Sequence, residues 1–127
     1  MAKRIFINYR RGDTIATAGR LRDRLAREFG RNNVFMDIDT IPVGVDFVKH
    51  LETWLTDCKI VIALIGSQWV SGKDETGRRR IENVDDYVRL ELATALRNGI
   101  MIVPVLVDGA AMPEEGELPE ELAPLVN

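Results

Sequence analysis

The chain has 127 residues, of which 46% are hydrophobic and 29% charged, and its formal net charge is −3. This length suits one domain with a single core, and the composition is typical of an ordinary globular protein. The acidic balance argues against direct nucleic-acid binding, because general nucleic-acid binders are usually basic. With one cysteine and one histidine, an internal disulfide is excluded and no plausible zinc site remains, so no metal is expected.

No segment has the length of a membrane anchor. The longest apolar runs, at 60–65 and 100–107, are too short to span a bilayer as helices. The first predicted strand begins within a few residues of Met1, so we expect no signal peptide. The sequence therefore predicts a cytoplasmic protein that does not enter a membrane.

Short apolar strands alternate with amphipathic helices along the chain. In order, the predicted elements are strand 4–8, helix 16–29, strand 34–37, helix 46–57, strand 60–65, helix 84–98 and strand 100–107. Continuously apolar strands separated by helices favour an α/β fold, a parallel sheet covered on both faces. Right-handed crossovers then favour a flavodoxin-like winding with strand order 2-1-3-4. The polar segment 71–83 is predicted to be the most mobile loop.

A glutamate on the apolar face of helix 84–98 is the most informative residue of the chain. The inward positions of this helix are Val84, Tyr87, Val88, Leu92, Ala95 and Leu96. Glu91 falls among them, and an ionised carboxylate facing a core is costly unless it is paired, hydrogen-bonded or lining a cavity. It is either a buried glutamate satisfied by an arginine or a backbone amide, or a carboxylate held in a cleft for chemistry, with a pKa raised by desolvation.

The predicted topology forms a crevice beyond the carboxyl ends of the first and third strands, where open parallel sheets bind ligands. Side chains from distant segments converge there: Tyr9, Arg10, Arg11, Ser67, Trp69 and Glu91. Arginines suit phosphate oxygens because the guanidinium offers a bidentate fork, and aromatic rings suit flat bases. Alternatively, the two arginines are solvated surface residues and the tryptophan caps the core.

Other phosphate-binding classes lack their motifs in this chain. No G-x-G-x-x-G follows a strand and no G-x-x-x-x-G-K-[ST] is present, so neither a dinucleotide-binding Rossmann turn nor a P-loop is supported. A phospho-acceptor receiver domain shares the winding, but it requires an aspartate at the end of the third strand. This chain has Gly66 and Ser67 there.

Four segments together resemble a TIR (Toll/interleukin-1 receptor) domain of the bacterial type. In the family's order they are RIFINYRRGD at 4–13, VFMDIDTIPVGVDF at 34–47, ALIGSQW at 63–69 and DYVRLELATAL at 86–96. The first looks like the family's first box, and residues 39–44 look like its BB loop. Segment 86–91 looks like the W-x-x-x-E element, with Tyr87 in the tryptophan position and Glu91 in the glutamate position.

The resemblance implies an enzyme that cleaves NAD⁺ between nicotinamide and ribose, with Glu91 as its catalytic residue. NAD⁺ would be the substrate, no cofactor is expected, and the product would be ADP-ribose or a cyclic isomer. The predicted substrate-binding residues are Tyr9, Arg10, Arg11, Asp37, Ser67, Trp69 and Tyr87. Because Arg10 and Arg11 follow the strand, their replacement by alanine should weaken NAD⁺ binding and leave the melting temperature nearly unchanged.

The family also contains modules without activity, which act as scaffolds or adaptors by assembling with other TIR domains. The predicted assembly loop is Ile41, Pro42, Val43 and Gly44, an exposed apolar tip suited to docking on a neighbouring copy. Such head-to-tail contacts can extend into a filament. The presence of Glu91 favours the enzymatic function over the scaffold function. We expect the enzyme to be activated by assembly in bacterial defence or signalling.

The resemblance covers nearly all of residues 1–127 as one TIR domain. The family usually carries another strand and helix after the segment that resembles 113–125, so a fifth strand of the sheet is missing from the predicted fold. The chain is therefore either a minimal domain or an excerpt of a longer protein, with any sensor domain downstream.

Overall fold

The computed structural model of the protein describes residues 4–36, 49, 52, 53, 55 and 58–126. Its elements are strands β1 (Arg4–Asn8), β2 (Val34–Phe35), β3 (Cys58–Ile65) and β4 (Met101–Leu106), and helices α1 (Arg11–Phe29) and α2 (Tyr87–Arg97). Short 3-10 helices lie at Arg31–Asn33, Arg80–Glu82, Glu115–Glu117 and Glu120–Val126. The strands form a parallel sheet in the order β2-β1-β3-β4. This order confirms the predicted flavodoxin-like winding.

The sheet separates two apolar layers, because successive side chains along a strand point to opposite faces. On one side, Phe6 of β1 lies in the same buried cluster as Leu92 and Ala95 of α2, which we call the α2-side cluster. On the other side, the next residue, Ile7, packs with Ala18 of α1 in a second buried cluster, which we call the α1-side cluster. Helices thus cover both faces of the central strands, as the uninterrupted apolar runs predict.

Helix α1 begins earlier than the predicted start at residue 16, because the chain turns immediately after β1. The Arg10 carbonyl accepts hydrogen bonds from the Asp13 and Thr14 amides at 2.9 and 3.0 Å. Thr14 has a non-helical backbone (φ −129°, ψ 23°), which marks a kink between this first turn and the rest of the helix. The first turn of α1 is therefore anchored beside the carboxyl end of β1.

Helix α2 begins at Tyr87, three residues later than predicted, because Asp86 caps it. The Asp86 carboxylate accepts a hydrogen bond from the Arg89 amide at 3.2 Å. Val84 therefore precedes the helix and is 64% exposed, and Tyr87 is 58% exposed at the first helical position. The predicted inward orientation of these two residues is wrong. The other predicted inward positions of α2 are buried or half-buried: Val88, Leu92, Ala95 and Leu96.

Segment 71–83, predicted to be the most mobile loop, is folded back on itself. The Asp74 carboxylate accepts hydrogen bonds from the Thr76 amide at 2.9 Å, the Thr76 hydroxyl at 2.6 Å and the Arg78 amide at 3.1 Å. The bond from the Thr76 hydroxyl lowers the pKa of Asp74 from its usual value. Ile81 is fully buried in the α2-side cluster. This charge-rich segment therefore forms a hydrogen-bonded turn that is joined to the core.

The predicted helix 46–57 lies largely outside the described residues. Lys49, Glu52, Thr53 and Leu55 are the described positions within it, and all four are helical. The Thr53 hydroxyl donates a hydrogen bond to the Lys49 carbonyl at 3.1 Å, and Leu55 is buried in the α2-side cluster. Leu55 is therefore an inward-facing position of this segment.

Candidate active site

Glu91 lies in the second turn of α2, where this helix packs against the carboxyl end of β1. Asn8, the last residue of β1, donates a hydrogen bond from Nδ2 to Glu91 Oε1 at 2.8 Å. The same nitrogen donates to the Val88 carbonyl at 3.3 Å. Asn8 is 0% exposed, and Glu91 is half-buried. A carboxylate facing the sheet is thus held by a buried amide from the central strand.

Arg10 is buried in an ion pair, although the sequence predicts it to hold phosphate. It is 4% exposed, and its two terminal nitrogens donate to Asp86 Oδ1 and Oδ2 at 2.9 and 3.0 Å. Asp86 is also the N-cap of α2. Because both ends of the guanidinium fork are engaged by this carboxylate, Arg10 joins the end of β1 to the start of α2 and presents no open fork to a phosphate.

Trp69 is 0% exposed and lies in the α2-side cluster with Phe6 and Ile65. A ring in this position has no free face on which a substrate base could stack. Its indole nitrogen, Nε1, is buried without a hydrogen-bond partner among the described residues. The burial agrees with the alternative interpretation from the sequence, in which the tryptophan belongs to the core.

Two further residues of the predicted crevice differ in exposure. Tyr9 is buried in the α1-side cluster with Ile7 and Ala18, so its ring packs on the opposite side of the sheet from α2. Ser67 follows β3 and is exposed, and its carbonyl accepts a hydrogen bond from the Ser71 hydroxyl at 3.2 Å. Of these two residues, only Ser67 is open to a ligand.

Tyr87 offers an exposed ring at the start of α2, one helical turn before Glu91. It lines a cavity of about 230 Å³ together with Asp74, Arg80, Asn83, Asp85 and Asp86. Residues four apart on a helix are neighbours on its surface, so Tyr87 and Glu91 lie on adjacent turns of the same side. The turn of segment 71–83 forms one wall of this cavity.

A contact between Asp13 and Gly66 fixes the loop that follows β3. The Asp13 Oδ1 atom accepts a hydrogen bond from the Gln68 amide at 3.1 Å. A Cβ atom added to Gly66 would lie 2.5 Å from Asp13 Oδ1, which is closer than real Cβ contacts allow. Glycine at position 66 therefore leaves room for the carboxylate that joins α1 to this loop.

Replacement of Gly66 by alanine is expected to displace the Asp13 carboxylate and break its bond to Gln68. The expected loss of stability is about 1.5–3 kcal/mol, the scale of one hydrogen bond to a charged group, measured by urea unfolding. Gly12→Ala is the control for a Cβ that meets nothing within 4 Å, and it should be neutral or slightly stabilising because alanine favours the helix α1 in which it lies. If Gly66→Ala costs no more than this control, the Asp13 contact does not stabilise the loop.

The remaining predicted site residues cannot be compared with the structure. Asp37 and the assembly loop of Ile41, Pro42, Val43 and Gly44 lie outside the described residues. Arg11 is the first residue of α1, and the structure describes its backbone alone. The roles predicted for these residues stay predictions.

The structure also reveals site residues to which sequence reasoning assigned no role, namely Asn8, Asp13 and Asp86. Asp86 carries a recognisable signal, since an aspartate directly before an apolar helical pattern is a common N-cap. Asn8 and Asp13 make their contacts with residues 83 and 55 positions away, and such pairings leave no local pattern in a sequence.

Neither a metal cluster nor a membrane-spanning helix is found in the part of the chain that the structure describes. No three His, Cys, Asp or Glu side chains there are grouped so that they could hold a metal ion. No described helix is both long enough and apolar enough to cross a membrane.

The fold and the site define a class of protein. The protein is a flavodoxin-like α/β domain in which a half-buried glutamate packs against the carboxyl end of β1. The sequence matches the family model of the TIR domain over residues 5–126. The chain therefore belongs to the TIR domain family, as its four motifs indicate.

Solved structures give the same fold. The chain is similar to the TIR domains in the structure of the activated Roq1 resistosome, an assembly that directly recognizes the pathogen effector XopQ. The TM-score is 0.59 at 16% sequence identity, and the match covers 98% of this chain and 69% of that chain. At this identity the likeness shows a shared fold. Comparison with curated proteins finds no match.

Proposed function

We propose that this TIR domain cleaves NAD⁺ between nicotinamide and ribose, with Glu91 as the catalytic residue. One observation carries the proposal: a half-buried carboxylate on α2 is hydrogen-bonded at 2.8 Å to a fully buried amide from β1. Carboxylates on core-facing helix positions are costly, so an arrangement that retains one favours a functional role. Membership of the TIR family and the glutamate position of segment 86–91 support the same assignment.

The chemistry suits a single carboxylate. Nicotinamide leaves NAD⁺ as a neutral ring, because it starts as a cationic pyridinium, so no general acid is needed. The positive charge that develops on the ribose resembles an oxocarbenium ion, which a preorganised carboxylate stabilises electrostatically. Attack by water then gives ADP-ribose, and attack by a nucleophile of the substrate itself gives a cyclic isomer. NAD⁺ is a substrate in this scheme and no cofactor takes part.

Fewer substrate contacts are proposed than the sequence predicts. Those that we retain are Arg11, Asp37, Ser67 and Tyr87. Tyr87 is exposed beside a cavity and would offer its ring to a base, and Ser67 is exposed after β3. The other three predicted contacts are buried and support the site from within the fold: Tyr9, Arg10 and Trp69.

We further propose that the domain acts in the cytoplasm as an assembly of several copies, in bacterial defence or signalling, under a downstream sensor domain. The similar Roq1 TIR domains belong to an activated resistosome, which supports assembly as the active form. The predicted assembly loop, residues 41–44, would supply the contact between copies. Head-to-tail contacts of this kind are heterologous and can extend into filaments.

The proposed function is tested by incubating the purified protein with NAD⁺ and measuring nicotinamide by liquid chromatography. We expect specific activity to rise with protein concentration from nanomolar to high micromolar, because assembly completes the site. Gly44→Arg should leave the melting temperature unchanged and suppress this rise. A specific activity that stays flat over the range would refute dependence on assembly, and an absence of nicotinamide at every concentration would favour the scaffold function.

A further inference from the structure

We infer that Asn8 is a positioning residue that holds the Glu91 carboxylate in its working orientation, an inference that rests on the proposed function. Asn8 ends β1, the strand between β2 and β3 in the sheet. Its Nδ2 atom donates both to Glu91 Oε1 at 2.8 Å and to the Val88 carbonyl at 3.3 Å. The Asn8 amide thus holds both the Glu91 carboxylate and the helical turn that precedes it.

The orientation of the Asn8 amide is fixed by its two acceptors. A flipped amide would point Oδ1 at the Glu91 carboxylate and at the Val88 carbonyl, replacing two attractive contacts with two repulsive ones. In the observed orientation Oδ1 is buried without a hydrogen-bond partner among the described residues. The donor is therefore directed at Glu91 even though the other half of the amide is left unsatisfied.

Asn8 occupies a position that packing alone would give to an apolar residue. It shares a face of β1 with Phe6 and pairs in register with Ala63 of β3, and both of these neighbours are buried. A buried amide with an unpaired oxygen is costly relative to an aliphatic side chain of similar size. Unsatisfied buried polar atoms in a fold need an explanation, and the bond to Glu91 supplies one.

The physical role of Asn8 follows from the flexibility of glutamate. A glutamate side chain has three rotatable bonds, and its carboxylate must be held to a fraction of an ångström to act on a reacting bond. An amide on a rigid central strand provides that restraint, and because it is neutral it fixes the carboxylate without taking up its charge. We therefore expect loss of the amide to lower kcat and to leave KM nearly unchanged.

The test is Asn8→Leu, which keeps the approximate volume and removes the donor. We expect kcat for nicotinamide release to fall about 10- to 100-fold, the scale of a misplaced catalytic group, with KM within about twofold of the wild type. The melting temperature should fall by only a few degrees, because removal of the unsatisfied Oδ1 offsets part of the lost bonds and the half-buried Glu91 carboxylate keeps partial contact with water. Asn8→Ala gives the same kinetic test if Asn8→Leu does not fold.

Thr94→Val is the matched control for loss of a buried polar group. Thr94 is fully buried on α2, and its hydroxyl accepts a hydrogen bond from Arg97 at 3.3 Å. Substitution by valine keeps its shape and removes that hydroxyl, three residues after Glu91. We expect this variant to keep its kcat within about twofold of the wild type, because it does not alter the Asn8 bond.

A double-mutant cycle separates positioning from a purely structural role. If Asn8 acts through Glu91, Asn8→Leu should lower kcat in the wild-type background and should not lower it further in Glu91→Gln. If the two substitutions lower kcat independently, so that their fold losses multiply in the double variant, the inference is overturned. It is also overturned if Asn8→Leu lowers the melting temperature and leaves kcat unchanged. These outcomes differ from a failure of the proposed function, in which the wild-type protein itself releases no nicotinamide and both proposals fall.

Discussion

Glu91→Gln is expected to lower nicotinamide release from NAD⁺ by about 10²-fold or more, the scale of losing one electrostatic stabiliser. Glutamine keeps the shape of the side chain and retains an oxygen that can accept the bond from Asn8, so the protein should remain folded. Only the charge that would stabilise the oxocarbenium-like ribose is lost. The measurements are kcat by liquid chromatography and the melting temperature of the same preparation.

Glu82→Gln is the control for loss of a carboxylate. Glu82 is exposed and pairs with Arg79 at 2.7 Å in the turn before α2, and the bond from Arg79 lowers its pKa. Glu82→Gln should leave kcat within about twofold of the wild type, because the bond between Asn8 and Glu91 stays in place, and it should cost little stability because exposed ion pairs contribute little. Near-wild-type turnover in Glu91→Gln would refute the catalytic assignment, and an unfolded Glu91→Gln would indicate a structural role.

Arg10→Ala is expected to reduce the free energy of unfolding by about 3–5 kcal/mol, because it leaves a buried carboxylate without its partner. Asp86 is 10% exposed and receives both terminal nitrogens of Arg10. A loss of this size would reverse the expectation from the sequence, in which removal of Arg10 affects substrate binding and leaves the melting temperature nearly unchanged. Urea unfolding followed by circular dichroism provides the measurement.

Two comparisons make the Arg10 prediction specific. Arg97→Ala removes an exposed pair with Glu52 at 3.6 Å and should cost less than about 1 kcal/mol. Arg10→Met combined with Asp86→Asn removes both charges and keeps a capping side chain at position 86, so it should recover much of the loss. If Arg10→Ala unfolds like the wild type but shows a raised KM, Arg10 is a phosphate ligand after all.

The winding of the sheet could be predicted because it depends on periodicity and connection rules that a single sequence carries. The apolar runs of β1 and β3 are continuous, and right-handed crossovers leave few ways to order them. The sequence predicts the start of α2 less well, since the apolar spacing extends back to Val84. The capping bond of Asp86 sets the boundary, and caps outweigh periodicity at helix ends.

The candidate site was only partly predictable from the sequence. Glu91 stands out in the sequence as a candidate because a charged residue interrupts an apolar stripe, which is a local signal. The ion pair of Arg10 could not be predicted, because its partner, Asp86, lies 76 residues away and no local pattern records the pairing. The sequence leaves open whether Trp69 contacts a ligand or caps the core, because burial of an aromatic ring is decided by tertiary packing, which a short segment does not reveal.

The most direct test of the central claim is the amount of nicotinamide released when the wild-type protein, at high micromolar concentration, is incubated with a known amount of NAD⁺. The account predicts nicotinamide in equal molar amount to the NAD⁺ consumed, together with ADP-ribose or a cyclic isomer, and almost none in a parallel sample of Glu91→Gln. NAD⁺ that remains intact in the wild-type sample, or that is consumed equally in both samples, would contradict it.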